Sequence, residues 1–472
     1  MKNYLTALIS MLLLFACGGQ KTADTMEEAT NEVPTFSGKP DEVVLMTLDP
    51  GHFHAALIQK DMYEEISPKA YVFAPKGEDV QLHLDKIEQY NNREDNPTNW
   101  EEVVYTGDDY LDKMLQEKPG NVMMVAGNNG RKTEYIQQAV ANNIHVYADK
   151  PMVIIPEEYN LLTETLESAR KQGILVYDIM TERYEITTIL QKELSNFEGV
   201  FGKLEKGTPD NPAISKESVH HFFKYVSGNP LKRPTWFFDV TQQGEGIVDV
   251  STHLVDLIMW ECFPEQAILK EEVAIVSGKR WATELTPAQF GRVTGAAEYP
   301  EALQKDVVKD SILNVYSNGE IIFTVKGVHG KASVIWNFEA PEGAKDTHYS
   351  MMRGTKANLV IRQDAPQNYK PTLYVEPLEG VDKTTTEKAL KEALAKINEK
   401  YAGVEMKPSE AGWEIIIPEE YKNGHEAHFA QVTEKYLEYL KAGKIPDWEH
   451  QNMLTKYFIT TEAYKLSHQQ AN

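Results

Sequence analysis

The sequence predicts an α/β protein: an N-terminal doubly wound parallel sheet, followed by a C-terminal α+β domain with a large, mostly antiparallel open sheet. Three observations predict it. Between residues 42 and 178, short apolar runs alternate with segments of helical periodicity, as in a parallel sheet with crossover helices. The first run ends in a Pro-Gly turn that leads straight into a helical segment. Beyond residue 185 the runs alternate apolar with polar, which suits strands with one open face.

The elements follow in order. Glu42 to Leu48 (EVVLMTL) is the first buried strand, Asp49-Pro50-Gly51 the turn, and HFHAALIQKDM the first helix. Strands are expected at Ala70–Ala74, Glu101–Tyr105, Asn121–Ala126 and Ile144–Ala148, with helices at TGDDYLDKMLQEK, KTEYIQQAVANN and Pro156–Lys171, and ILVYD closes the unit. This is a Rossmann-type dinucleotide-binding arrangement over residues 41–182. Its ligand edge holds the carboxyl ends of the strands: Gly51, Ala74, Gly127, Asn129, Lys150 and Thr181. The fingerprint G-x-G-x-x-G, set on Gly51, places Phe53 and Ala56 at the other two glycine positions. No acid directly follows Ala74; Lys76 would suit a 2′-phosphate and Glu78 a ribose, so NAD and NADP both stay open.

Residues 183–472 form the second domain. A strand is expected at Ser218–Val226, a hairpin turn at Ser317-Asn318-Gly319-Glu320, and an insertion at about 365–415 containing the amphipathic helix TTEKALKEALAKINEKYAG.

Composition bounds the function. At 472 residues and 42% apolar, the chain is long enough for two or three domains. The net charge of −23 is spread along the chain, which favours solubility and excludes a nucleic-acid footprint. Lys2 followed by apolar Leu5–Phe15, too short to span a bilayer, reads as a signal peptide over residues 1–16. Leu14-Phe15-Ala16-Cys17 resembles a bacterial lipobox, so Cys17 is expected to carry a lipid anchor, with residues 17–40 a flexible tether. GGQKTA after it has no acidic residue, which by resemblance favours the periplasm, on the outer membrane. Cys262 is then without a partner and reads as an inert thiol.

The segment GEGIVDVSTHLVDLIMW at 244–260 carries the chemistry. Asp249 and His253 are four apart in an apolar stretch, which on a helix puts both on one face. Two titratable groups held this way suit proton transfer; a buried helix with paired polar residues is the plain alternative.

Together Gly51, Asn129, HVYADKP at 145–151, TERY at 181–184, Trp236 and GEGIVDVSTHLVD resemble the Gfo/Idh/MocA (glucose–fructose oxidoreductase/inositol dehydrogenase) family, over 42–345 and again near 421–470. The resemblance implies an NAD- or NADP-dependent oxidoreductase with catalytic Lys150, Asp249 and His253. Lys150 would position a substrate hydroxyl, His253 would act as general base, and Asp249 as its partner or a substrate anchor. Cofactor contacts are implied for Gly51, His52, Phe53, His54, Asn128, Asn129, Asp149 and Lys150. Substrate contacts are implied for Arg183, Tyr184, Lys224, Arg233 and Trp236. Departures are Asp149 for the usual Glu and Gly127-Asn128-Asn129 for Thr-Pro-Asn.

The resulting expectation is hydride transfer from a secondary hydroxyl of a sugar, polyol or glycoside, with a tightly bound, recycled cofactor, since free NAD is scarce outside the cytoplasm. Redox-assisted glycoside cleavage through a 3-keto intermediate is the second reading. A non-catalytic sugar-binding lipoprotein on this scaffold is the third. No metal site is expected: His220-His221 lacks a third ligand at recognisable spacing, and His425-Glu426-His428 matches a metal motif only superficially. The open sheet leaves room for a homo-oligomer.

Overall fold

The computed structural model describes residues 32–226, 229–309 and 311–469. Cys17, the signal peptide and most of the expected tether lie outside them. Val33 and Phe36 pack on the first core, and the Pro34 carbonyl accepts from His145 Nε2 at 2.9 Å. The tether expected to run to residue 40 is therefore anchored from Val33 onward, because two apolar side chains find a buried surface.

Six parallel strands form the first sheet: β1 (Leu45–Leu48), β2 (Lys69–Ala74), β3 (Glu101–Thr106), β4 (Val122–Val125), β5 (His145–Asp149) and β6 (Val176–Ile179), in the order β3-β2-β1-β4-β5-β6. β1, β4, β5 and β6 are buried along their whole length, which explains their unbroken apolar runs. The intervening helices are α1 (His54–Leu57), α2 (Glu78–Asn92), α3 (Tyr110–Glu117), α4 (Asn129–Ala141) and α5 (Pro156–Gln172). α5 begins with Pro156 and ends at Gly173 in the left-handed conformation, the usual asymmetry of helix ends. α1 is one turn long, shorter than the HFHAALIQKDM run suggests. The order reverses at β1, whose neighbours are β2 and β4, so the crevice lies between the loops after β1 and β4. There a Cβ on Gly127 (φ 109°) would lie 2.6 Å from Gly51 Cα, so the two loops touch backbone to backbone.

The second sheet is ten-stranded and antiparallel except where β7 (Ile214–Phe223) runs parallel to Val328–Glu339. The insertion adds strands Thr372–Pro377, Glu405–Pro408 and Trp413–Ile416 to its edge, with a helix at Lys383–Ile397. α6 (Ile186–Ser195) lies between the two sheets in sequence, whereas α7 (Val240–Gln243) and α8 (Ser251–Cys262) follow β7.

Two expectations need correction. Ser317-Asn318-Gly319-Glu320 is no turn: strand Ile312–Val325 runs through it, and the hairpin turns at Lys326-Gly327 (φ 51° and 78°). The glycine serves a crossing instead, since a Cβ on Gly319 would lie 2.6 Å from Ile247 Cα. The domain boundary also does not assign all of 183–472 to the second domain. Phe429, Tyr436 and Leu440 from helix His425–Ala442, and Met453 and Tyr457 from helix Asp447–Gln469, belong to the first core, because these helices return to cover the parallel sheet.

Candidate active site

Lys150 follows the last residue of β5, and its Nζ donates to Asp249 Oδ1 at 2.7 Å. Asp249 comes from the stretch that crosses strand Ile312–Val325. A Cβ on Gly246 would lie 1.8 Å from the Ser317 carbonyl oxygen, so only glycine permits the crossing. Gly246 N donates to the Tyr316 carbonyl at 3.0 Å, and Glu245 takes both 2.7 Å bonds from Arg280. The crossing is thereby pinned on both sides.

The expectation that Asp249 and His253 share a helix face is corrected here. α8 starts at Ser251, so Asp249 lies in the preceding turn. Its second oxygen accepts from Gln243 Nε2 at 2.9 Å, the Gln243 carbonyl accepts from Asn129 Nδ2 at 2.7 Å, and Asn129 Oδ1 accepts from Lys132 Nζ at 2.6 Å. Asp249 is thus the partner of Lys150, not of His253. The His253 side chain makes no hydrogen bond to any described residue, and its Nδ1 is buried.

The electrostatics follow from this pairing. Burial works against the Lys150 ammonium, but Asp249 and then Asp149 outweigh it and hold its pKa above the ordinary lysine value. Burial, then Lys150, pushes His253 down to about 3. Its imidazole is therefore neutral at physiological pH. Burial would raise Glu182, but nearby histidines, His348 first among them, outweigh it and bring it to about 2. Glu182 and His348 line a cleft with Lys216, Leu254 and Tyr349. Sequence reasoning missed Glu182 as a site residue, although it follows Thr181, which was expected at the ligand edge.

The phosphate-binding turn also reads differently in three dimensions. β1 ends at Leu48, and Asp49 follows it at φ 46°, the left-handed turn that the first fingerprint glycine normally makes. This puts Gly51 at the second position, where bare backbone lets a pyrophosphate approach, and His54 at the third. Phe53 then replaces no glycine, and its ring is 55% exposed. Asp49 Oδ2 accepts from Tyr135 and from Asn128 at 2.7 and 3.0 Å, which holds the turn. A Cβ on Gly51 would meet Gly127, Asn128 and Trp236 at 3.5–3.7 Å, so the glycine leaves a cradle there. With His253 unpartnered at the far end, these residues fit a dinucleotide lying from Gly51 to Lys150. The Trp236 indole donates to Asp79 Oδ1 at 3.2 Å in the first turn of α2, where a ribose acid would stand. Asp79, rather than Glu78, is the acid tied into this crevice.

The expected substrate residues separate. Arg183 is buried and donates four hydrogen bonds to carboxylates: two to Asp256 at 2.6 and 2.7 Å and two to Glu449 at 2.9 and 2.8 Å. It is a structural arginine, a correction forced by buried carboxylates that local sequence cannot reveal. Tyr184 packs against the first core. Trp236 lies at the Gly51 turn, on the cofactor side. Lys224 pairs with Asp346, which also accepts from His220 Nδ1 at 3.0 Å. The Arg233 guanidinium donates to the Phe222 and His221 carbonyls at 2.9 Å and lies over Phe237 and Trp336 at 4.5 and 5.2 Å. Lys224 and Arg233 thus belong to one aromatic and charged wall on β7. Next to His220, His221 is buried.

A parallel nucleotide-binding sheet with a lysine–carboxylate pair and a neutral histidine at its ligand edge defines a dinucleotide-dependent oxidoreductase. Comparison with known proteins agrees. Residues 74–177 match the family model described as "Oxidoreductase family, NAD-binding Rossmann fold", and residues 190–468 match that of the "Putative oxidoreductase C terminal domain". A crystal structure of a "putative oxidoreductase" from Parabacteroides merdae ATCC 43184 is 53% identical, with a TM-score of 0.91, over 92% of this chain and 100% of that one. The chain belongs to the Gfo/Idh/MocA family of NAD(P)-dependent oxidoreductases. Levoglucosan dehydrogenase in complex with NADH shares the fold at 12% identity and a TM-score of 0.57, over 91% of this chain and 97% of that one. KijD10, a 3-ketoreductase from Actinomadura kijaniata crystallised with TDP-benzene and NADP, shares it at 12% identity and a TM-score of 0.52, over 90% and 97%. No curated protein matches the sequence.

Proposed function

We propose that this chain oxidises a secondary hydroxyl of a sugar, polyol or glycoside, with a dinucleotide that stays bound and is recycled. The observation that carries the reading is the Lys150–Asp249 pair beside an unpartnered, neutral His253. A hydroxyl placed between Lys150 and His253 loses its proton to the His253 imidazole, and the Lys150 ammonium stabilises the alkoxide that forms. Asp249 keeps that ammonium charged and aimed. The bound nicotinamide supplies the hydride acceptor. Arg233, Lys224 and the half-buried Phe237 offer donors and a ring face suited to a polyhydroxyl ligand.

The test is to purify the protein, denature it and identify released nucleotide by mass spectrometry. Near-stoichiometric NAD or NADP supports a retained cofactor. No released nucleotide and no binding of added NAD or NADP would sink the reading.

Glu182 favours the second reading, glycoside cleavage through a 3-keto intermediate. A carboxylate kept ionised in the cleft is a second base, and a ketone at C3 makes the C2 proton removable, with the C1–O bond to the aglycone breaking as the C1–C2 double bond forms. Aglycone release without net NADH, lost in Glu182→Gln while C3 oxidation persists, would support it; net NADH formation with intact glycoside bonds would refute it.

The location proposed is the periplasm, lipid-anchored on the outer membrane, and it rests on Lys2, Leu5–Phe15 and Cys17. Among the described residues no helix is long and apolar enough to cross a membrane. Cys17→Ser should move the protein from the membrane to the soluble fraction on cell fractionation; an unchanged membrane fraction would refute the anchor.

A further inference from the structure

The turn after β1 and the end of β5 bring three donor atoms together. His52 Nδ1 and His54 Nδ1 lie 3.6 and 3.0 Å from the same oxygen, Asp149 Oδ2. The donor atoms of the three residues all fall within 4.8 Å of one another. Ligand atoms held about 2.0–2.1 Å from a tetrahedral ion stand roughly 3.3 Å apart, so the triangle has the size of a coordination face. At 3.6 Å the His52–Asp149 approach is too long for a hydrogen bond.

We propose that His52, His54 and Asp149 bind one divalent transition-metal ion, with zinc as the best-suited probe, beside Lys150. Two imidazoles and one carboxylate form the facial donor set that leaves further coordination positions open.

Two further observations support it. The Asp149 side chain is only 6% exposed, yet among the described residues no lysine or arginine pairs with its carboxylate. Lys150 is committed to Asp249, and Lys132 donates to the Asp149 backbone carbonyl at 2.8 Å and to Asn129. In their place the carboxylate has one hydrogen bond, from His54 Nδ1 at 3.0 Å, and an ion held between the two imidazoles and this oxygen would supply the positive charge directly. The second observation is the far side of His54. Its Nε2 meets His425 Nε2 at 2.8 Å, at the start of the helix His425–Ala442. A histidine that ligates through Nδ1 carries its proton on Nε2 and donates it to an outer partner, and His425 fills that role. His52 is the most exposed ligand, at 28%, so the open coordination positions face the side from which solvent reaches its ring. The donor geometry stands apart from the substrate reading, and so does its test.

The test uses the purified chain stripped with a chelator, titrated with Zn²⁺ by calorimetry and checked by metal analysis after desalting. The expected result is one ion per chain. His52→Gln and Asp149→Asn should each weaken binding at least tenfold, and His425→Gln by about 10- to 100-fold. His220→Gln, outside the triad, should keep wild-type affinity. His52→Gln carries the test if Asp149→Asn fails to fold, since the His52 ring is partly exposed. No saturable binding by the wild type, equal affinity in His52→Gln, or an equal loss in His220→Gln would overturn the proposal.

Discussion

Lys150 and Asp249 meet at 2.7 Å although 99 residues separate them, and each is set by a different sheet. Lys150 is fixed by the end of β5. Asp249 is fixed by Gly246 crossing under Ser317. The pair therefore reports whether the two sheets are correctly docked, as well as supplying the charge that an alkoxide needs.

Lys150→Ala should lower kcat by about 10²–10³-fold, the usual loss when one fixed donor to a developing oxyanion is removed. The dinucleotide content and circular dichroism should stay near wild type. A variant with full kcat on an established substrate would remove Lys150 from the mechanism.

Gly246→Ala should destabilise the fold by at least about 2 kcal/mol, in the range of overpacking. The new methyl would stand 1.8 Å from the Ser317 oxygen, so the crossing must open and carry Asp249 with it. Urea denaturation gives the stability and a kinetic assay the accompanying loss of kcat. Wild-type values for both would contradict the role given to this crossing.

Arg183→Met should cost about 3–5 kcal/mol, because it leaves Asp256 and Glu449 buried with reduced compensation. Lys456 remains 3.0 Å from Asp256 and softens the loss on that side. A change in substrate KM without loss of stability would instead restore Arg183 to the substrate site.

Acid sensitivity has an identifiable source in buried histidines. Burial pushes His83 down from 6.5 to about 4, and neither ring nitrogen has a hydrogen-bond partner among the described residues. The unfolded chain then binds the extra proton first as pH falls from 6.5 to about 4, so stability declines through that window. His253, brought to about 3, adds to the same trend. His83→Leu should flatten the fall in denaturation midpoint between pH 6.5 and 4. An unchanged slope would locate the sensitivity elsewhere.

Much of the fold was legible because its signals are local. Continuous apolar runs at β1, β4, β5 and β6 reflect burial on both faces, and Pro156 with Gly173 marks α5. The Asp249–His253 segment stood out for its titratable residues in apolar surroundings, and Lys150 for its place at a strand's carboxyl end and within HVYADKP. Arg183 did not reveal its fate, since Asp256 and Glu449 reach it from 73 and 266 residues away. Gly319 looked like a turn residue because close backbone crossing and tight turning ask for the same missing Cβ.

The sequence by itself determined the α/β class, the alternation that builds the nucleotide-binding sheet, and the residue types available for proton transfer. Local hydrophobic period and turn chemistry suffice for those. Only the tertiary structure decided that Asp249 serves Lys150 rather than His253, that Asp49 makes the first turn and Gly51 the second fingerprint position, and that Asp149 lies between His52 and His54. Each of those depends on which loops meet at the sheet edge, and that is set by packing between elements far apart in the chain.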